Sequence, residues 1–107
     1  MNPILIFITC ANKKEAKLIS RKLVKNRLAA CVNIVDKIES IFRWQGKIDR
    51  AKEALLIIKS EKAKLREIIK LVRAMHSYQV PEIIAIPIAD GYKPYLRWIN
   101  DSIRQAR

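Results

Sequence analysis

His76 is the one histidine of the chain. It stands in the stretch MHSYQVPEIIAIPI, with Tyr78 two residues on and Glu82 directly after Pro81. Two cysteines, Cys10 and Cys31, lie well upstream. A thiolate suits Cu(I) and zinc, an imidazole suits copper and zinc, and a carboxylate adds a harder donor. His76 and Cys10 are therefore the candidate metal ligands. Two or three such donors per chain make a weak site unless another subunit contributes. The sequence has no CxxC, no HExxH and no pair of histidines four apart, so no strong metal motif stands behind them. With two glycines there is no phosphate-cradling loop, and no Ser or Cys pairs with a His at a recognised catalytic spacing. Catalysis is not expected.

Each of these residues also has a packing role open to it. His76 follows an apolar helix face, so it is either a ligand or the basic partner of a helix C-terminus. Cys10 is either a ligand or a small core hydrophobe, and Cys31, inside a strand, reads as core. Trp44 and Tyr78 suit packing at a subunit interface. Glu82 suits a lysine or a backbone N–H at a strand start. Glu53 suits a paired, nearly buried acid.

The elements that position them follow from periodicity. ILIFITC (4–10) is a β-branched and aromatic run that reads as a strand buried on both faces. Asn12 is the expected N-cap of a helix from Lys13, with Glu15 as the acid of a capping box. Ala16, Ile19, Leu23 and Val24 are its inner face. AACVNIV and IESIFRW read as strand, QGK as a turn at Gly46, and EALLIIKS as a third strand, giving a long hairpin. Ser60 is the expected cap of a second helix whose inner face is Leu65, Ile68, Ile69, Val72 and Met75. A strand at 83–88 follows the Val80–Pro81 break. A last helix starts near Lys93, with Pro94 in its first turn and Leu96, Ile99 and Ile103 inward.

This order, β-α-β-β-α-β with an added C-terminal helix, specifies an α+β, ferredoxin-like sandwich with antiparallel strand order 4-1-3-2. Strand 3 is then central and Ile57 is expected to be buried. Strands 1 and 2 end where strands 3 and 4 begin. Cys10, Trp44, Lys47, Glu53 and the loop 76–82 are thus expected to gather at one end of the sheet.

At 107 residues the chain is expected to form a single domain, and with half its residues apolar and 30% charged it has the profile of a folded globular domain, not a disordered one. The formal charge of +12 suggests nucleic acid or an anionic surface, but the lysines are spread along the helices as on solvated helix faces, so the charge marks no specific partner. An RNA-recognition motif shares the topology, but it needs stacking aromatics on strands 1 and 3, and EALLIIKS has none. No specific nucleic-acid partner is expected. No apolar run approaches a membrane span, and MNPILIFITC lacks a basic leader, so no membrane partner is expected and the expected location is cytoplasmic, with reduced thiols.

Several stretches taken together resemble one family. ACVN (30–33), FRWQGKI (42–48), the strand ending IIKS, HSYQVPEI (76–83) and YLRWI (95–99) are similar, in order and spacing, to the CutA family of divalent-cation-tolerance proteins. The resemblance implies a tight homotrimer whose long hairpins pair across subunits. It implies a non-catalytic role in metal tolerance, binding copper (Cu2+) or another divalent cation. Residue by residue, Trp44, Gly46 and Lys47 match its hairpin turn, and Glu53 and Lys59 its third strand. His76, Tyr78, Pro81 and Glu82 match its loop. These side chains become candidates for a cleft between subunits. The chain departs from the pattern at Ser77, Arg43 and Asn12, and Met75 precedes His76 where some members carry a second histidine. Cys10 falls one position beyond Thr9, the place that matches the family's cysteine. The alternative is a small-ligand or nucleotide sensor like the trimeric PII signalling proteins, with anions bound near Lys47 and Lys59.

Overall fold

The computed structural model describes residues 1–104. Four strands and three helices are present: β1 (Pro3–Cys10), α1 (Lys13–Lys25), β2 (Cys31–Trp44), β3 (Lys47–Glu61), α2 (Leu65–Met75), β4 (Ile83–Pro87) and α3 (Lys93–Ile103). The strands form one antiparallel sheet in the order β2-β3-β1-β4, as the sequence predicts.

Strand register explains the core. Ile6 lies opposite Ile58, which lies opposite Val32, and Ile8 opposite Leu56, which lies opposite Ile34. Side chains alternate across a strand, so these even-numbered residues share a face. That face packs with Ala16, Ile19 and Leu23 of α1 and Ile68 and Val72 of α2. Ile99 and Ile103 of α3 are buried apart from this cluster, and Tyr95 of the same helix meets Cys31.

Several expectations change. β1 is fully buried on one face only, because its odd-numbered side chains are half-buried. By the same alternation Ile57 is half-buried, and Ile58 is the fully buried residue. Val24 and Met75 face solvent at the margins of their helices. Cys31 is half-buried, not sealed in the core. Ser60 caps no helix: it is the penultimate residue of β3, and its hydroxyl donates to the Leu28 carbonyl at 2.6 Å. A short 3-10 turn, Lys62–Lys64, leads into α2 in its place.

The hairpin outreaches the sheet. β1 pairs only with Ala54–Glu61 of β3, so Lys47–Glu53 and Ile38–Trp44 project as a two-stranded ribbon. A bulge at Asp36–Lys37 sets two residues against one and bends the ribbon away, with Lys37 at φ 59°. At the tip, Gln45 (φ 49°) and Gly46 (φ 77°) supply the two left-handed residues of a tight hairpin turn.

Candidate functional site

Helix α1 starts where the sequence predicts, but its first turn does an unforeseen thing. The Asn12 side chain accepts the Glu15 N–H at 2.9 Å, an ordinary N-cap. Glu15 does not close the capping box. Its carboxylate turns across to the end of α2, and Oε1 lies 3.2 Å from His76 Nδ1. The Ser77 N–H also points at that oxygen, at 3.5 Å.

His76 sits just past the last turn of α2, where its own N–H still donates to the Val72 carbonyl at 2.8 Å. Its imidazole ring is buried. Nε2 lies 2.7 Å from the carbonyl oxygen of Thr9, on the last turn of pleat before Cys10. Nδ1 accepts the Tyr78 N–H at 3.0 Å. The Tyr78 ring leans on the imidazole, with centroids 4.8 Å apart, and its hydroxyl donates to Glu53 Oε2 at 2.8 Å. Glu53 is itself only 8% exposed, where β3 leaves the cover of β1.

Cys10, Glu15 and His76 thus converge at one end of the sheet, each offering a donor atom within 4.8 Å of the others. Donor atoms bound tetrahedrally to a common ion at about 2.0–2.3 Å lie roughly 3.3–3.6 Å apart, so the widest pair would close by roughly 1 Å on binding. The surroundings are electrostatically unusual. Burial pushes the Cys10 thiol up to about 12, and the carboxylates of Glu15 and Glu53 push the same way. Burial also raises the Tyr78 hydroxyl to about 12, followed by its hydrogen bond to Glu53 and by the negative charges around it. Two carboxylates and a thiol packed together disfavour any further negative charge and favour a cation.

The remaining expected members of the site lie elsewhere. Trp44 and Lys47 pair with each other at the hairpin tip, six strand positions from Glu53. At about 3.3 Å per residue that is roughly 20 Å away, so within one chain they do not join the cluster. The expectation that they gather there is wrong because the ribbon overhangs the sheet. Lys59 lies six positions from Glu53 in the other direction, and its ammonium donates to the Asn33 side chain. Glu82 is exposed, just ahead of β4. Glu15 is the member that sequence reasoning missed. The signal was present in its position three residues after Asn12, but that pattern points to a local cap and not to a residue 61 positions away.

Fold and site define a small α+β protein with a thiol, a carboxylate and an imidazole clustered at one end of an antiparallel sheet. A family model described as CutA1 divalent ion tolerance protein matches residues 4–102. The divalent-cation tolerance protein CutA of Archaeoglobus fulgidus is 45% identical over 98 residues, which are 92% of this chain and 95% of that protein. Protein CutA of mouse is 45% identical over 94 residues, which are 88% of this chain but 53% of the mouse protein. The chain therefore spans about half the length of such curated relatives. The crystal structure of CutA1 from Oryza sativa superposes with a TM-score of 0.95 at 40% identity, covering 99% of this chain and 97% of that one. The chain belongs to the CutA family of divalent-cation tolerance proteins.

Proposed function

We propose that this chain is a cytoplasmic, non-catalytic homotrimer that takes part in metal tolerance by binding copper or another divalent cation. His76 and Cys10 are the donors expected from the sequence, and Glu15 joins them as a third. The observation that carries the reading is the convergence of these three donor atoms in a chain of the divalent-cation tolerance family. The donor set fits a borderline-to-soft ion, since three protein donors and one open position are a common arrangement for zinc. The Nε2 contact to the Thr9 carbonyl fits as well, because a ligating histidine characteristically gives its other ring N–H to such an acceptor.

The trimer is supported by what a single chain leaves in water. Ile41 (70% exposed), Trp44 and Ile48 (73%) stand on a two-stranded ribbon that has no third strand over it. Ile84 and Ile86 stand on the edge strand β4. An isolated ribbon is marginally stable, and exposed apolar edges invite pairing. Trp44 and Lys47 of one chain, together with Tyr78 and Glu82 of the next, then become the lining of an intersubunit cleft. The ferredoxin-like description of the sandwich rests on the β-α-β-β-α-β order.

The PII-like alternative is not favoured within one chain. Lys47 and Lys59 are twelve strand positions apart, about 40 Å, and Lys59 is already hydrogen-bonded to Asn33. No aromatic residue stands on β3 to stack bases, so no specific nucleic-acid partner is assigned. None of the described helices is long and apolar enough to cross a membrane, and no membrane partner is assigned.

Native mass spectrometry tests both halves of the proposal, with a trimer carrying metal as the expected species. Calorimetry with Cu(II) or Zn(II) then compares variants. His76→Ala should weaken binding by more than roughly tenfold, as loss of a ligand costs at least what loss of its outer partner does. Cys31→Ala should leave binding unchanged. A stable monomer would remove the intersubunit cleft, and parent-like binding by His76→Ala would reduce the histidine to a packing role.

A further inference from the structure

His76 Nδ1 has one lone pair and two neighbours that bear on it. The Thr9 carbonyl, 2.7 Å from Nε2, is an acceptor and requires Nε2 to carry the proton. Nδ1 of the neutral ring is then an acceptor, and the Tyr78 N–H at 3.0 Å uses it. Glu15 Oε1, 3.2 Å from the same Nδ1, offers it nothing, since a carboxylate oxygen and an imidazole lone pair are both acceptors. The nitrogen that faces Glu15, the one a cation shared with Glu15 would use, is therefore capped by a backbone amide.

Tyr78 is fastened at both ends. Its amide is on His76 and its hydroxyl is on Glu53. From Ser77 to Glu82 the only other hydrogen bond among the described residues is the long one from Ser77 N–H to Glu15. The loop between α2 and β4 thus depends on Tyr78 for its attachment, and that attachment sits on the candidate ligand atom itself.

We propose that the Tyr78 amide and a divalent cation compete for the His76 Nδ1 lone pair, so that Tyr78 is a latch released when the Cys10–Glu15–His76 site is filled. The inference rests on the metal-binding reading given above and adds a consequence that the reading does not contain. Nε2 keeps its hydrogen bond to Thr9 in both states, so the imidazole itself does not have to turn. The loop moves instead. Its Gln79 and Pro81 form one wall of a groove of about 430 Å³ on the outer side of α2, whose other wall carries Arg66, Lys70 and Arg73. Release of Tyr78 therefore changes a basic surface away from the site. Linkage requires the reverse coupling as well: whatever loosens the latch strengthens cation binding by the same factor that the cation loosens the latch.

The test uses the full chain, Zn(II) as the probe, and two readouts. In the metal-free protein the Tyr78 amide should exchange slowly with solvent, and saturating Zn(II) should speed that exchange by at least roughly tenfold. Tyr78→Phe removes the tether to Glu53 but keeps the amide. Zn(II) should bind this variant about 3- to 10-fold more tightly than the parent, the range that corresponds to one net hydrogen bond. Glu15→Gln should weaken binding, and melting curves of each variant confirm folding. If Zn(II) binds through His76 and Glu15 while the Tyr78 amide stays protected and Tyr78→Phe binds like the parent, the latch is overturned and the metal site stands. If Zn(II) does not bind the parent at all, the metal reading fails and the latch falls with it.

Discussion

The buried thiol of Cys10 makes stability sensitive to alkali, and the size of the effect follows from its surroundings. Cys10 is fully buried at the end of β1, with the carboxylates of Glu15 and Glu53 near it. These raise its pKa from 9.0 to about 12. The folded chain thus keeps a proton that the unfolded chain gives up. The resulting stabilisation is whole below pH 9 and disappears as pH climbs toward 12. A rise from 9.0 to about 12 corresponds to about 4 kcal/mol at the limit, and the loss relative to neutral pH is about 1 kcal/mol at pH 10 and about 2 kcal/mol at pH 10.5. Tyr78 also titrates at high pH, so the loss from Cys10 is read against Cys10→Ala. Urea denaturation of both proteins, at equal concentration and with chelator, gives two stability curves between pH 7 and 10.5. The variant starts lower, because removing a buried sulfur costs packing. The wild type should then fall by about 2 kcal/mol more than the variant over this range. Two curves that stay parallel to within about 0.5 kcal/mol would refute the reasoning. They would mean that the thiol ionises as easily folded as unfolded, and that water reaches the end of β1.

Three further outcomes follow from the packing. Ile58→Ala, at a fully buried position on the central strand, should cost roughly 2–5 kcal/mol by chemical denaturation, with Ile57→Ala costing clearly less at equal protein concentration. Gly46→Ala meets no atom within 4 Å, so its cost is purely conformational at φ +77°: about 1–2 kcal/mol, read as a lower denaturation midpoint with unchanged metal binding. Asn12→Ala should lose about 1 kcal/mol from the missing cap, and with it the first turn of α1 that carries Glu15; calorimetry should therefore report weaker Zn(II) binding as well.

The sequence by itself determined what local periodicity and turn chemistry can reach. The seven elements, their order, the hairpin turn at Gly46, the cap at Asn12 and the proline at the start of α3 were all legible, because each depends on residues within a turn or two. Strand order was legible too, since right-handed crossovers leave few alternatives. The family match singled out Glu53 and Tyr78, but not their mutual hydrogen bond. Tertiary structure decided the rest. Pattern alone made Glu15 a capping residue; only the packing of α1 beside the end of α2 turned its carboxylate onto His76. Pattern likewise put Trp44 and Lys47 beside Cys10. Their real position depends on how far β2 and β3, at 14 and 15 residues, outrun the 8 residues of β1. A side chain's neighbours across the chain are set by where whole elements cross, and that is a property of the packed core. Spacing along the sequence carries which face a residue occupies, but not what stands opposite it.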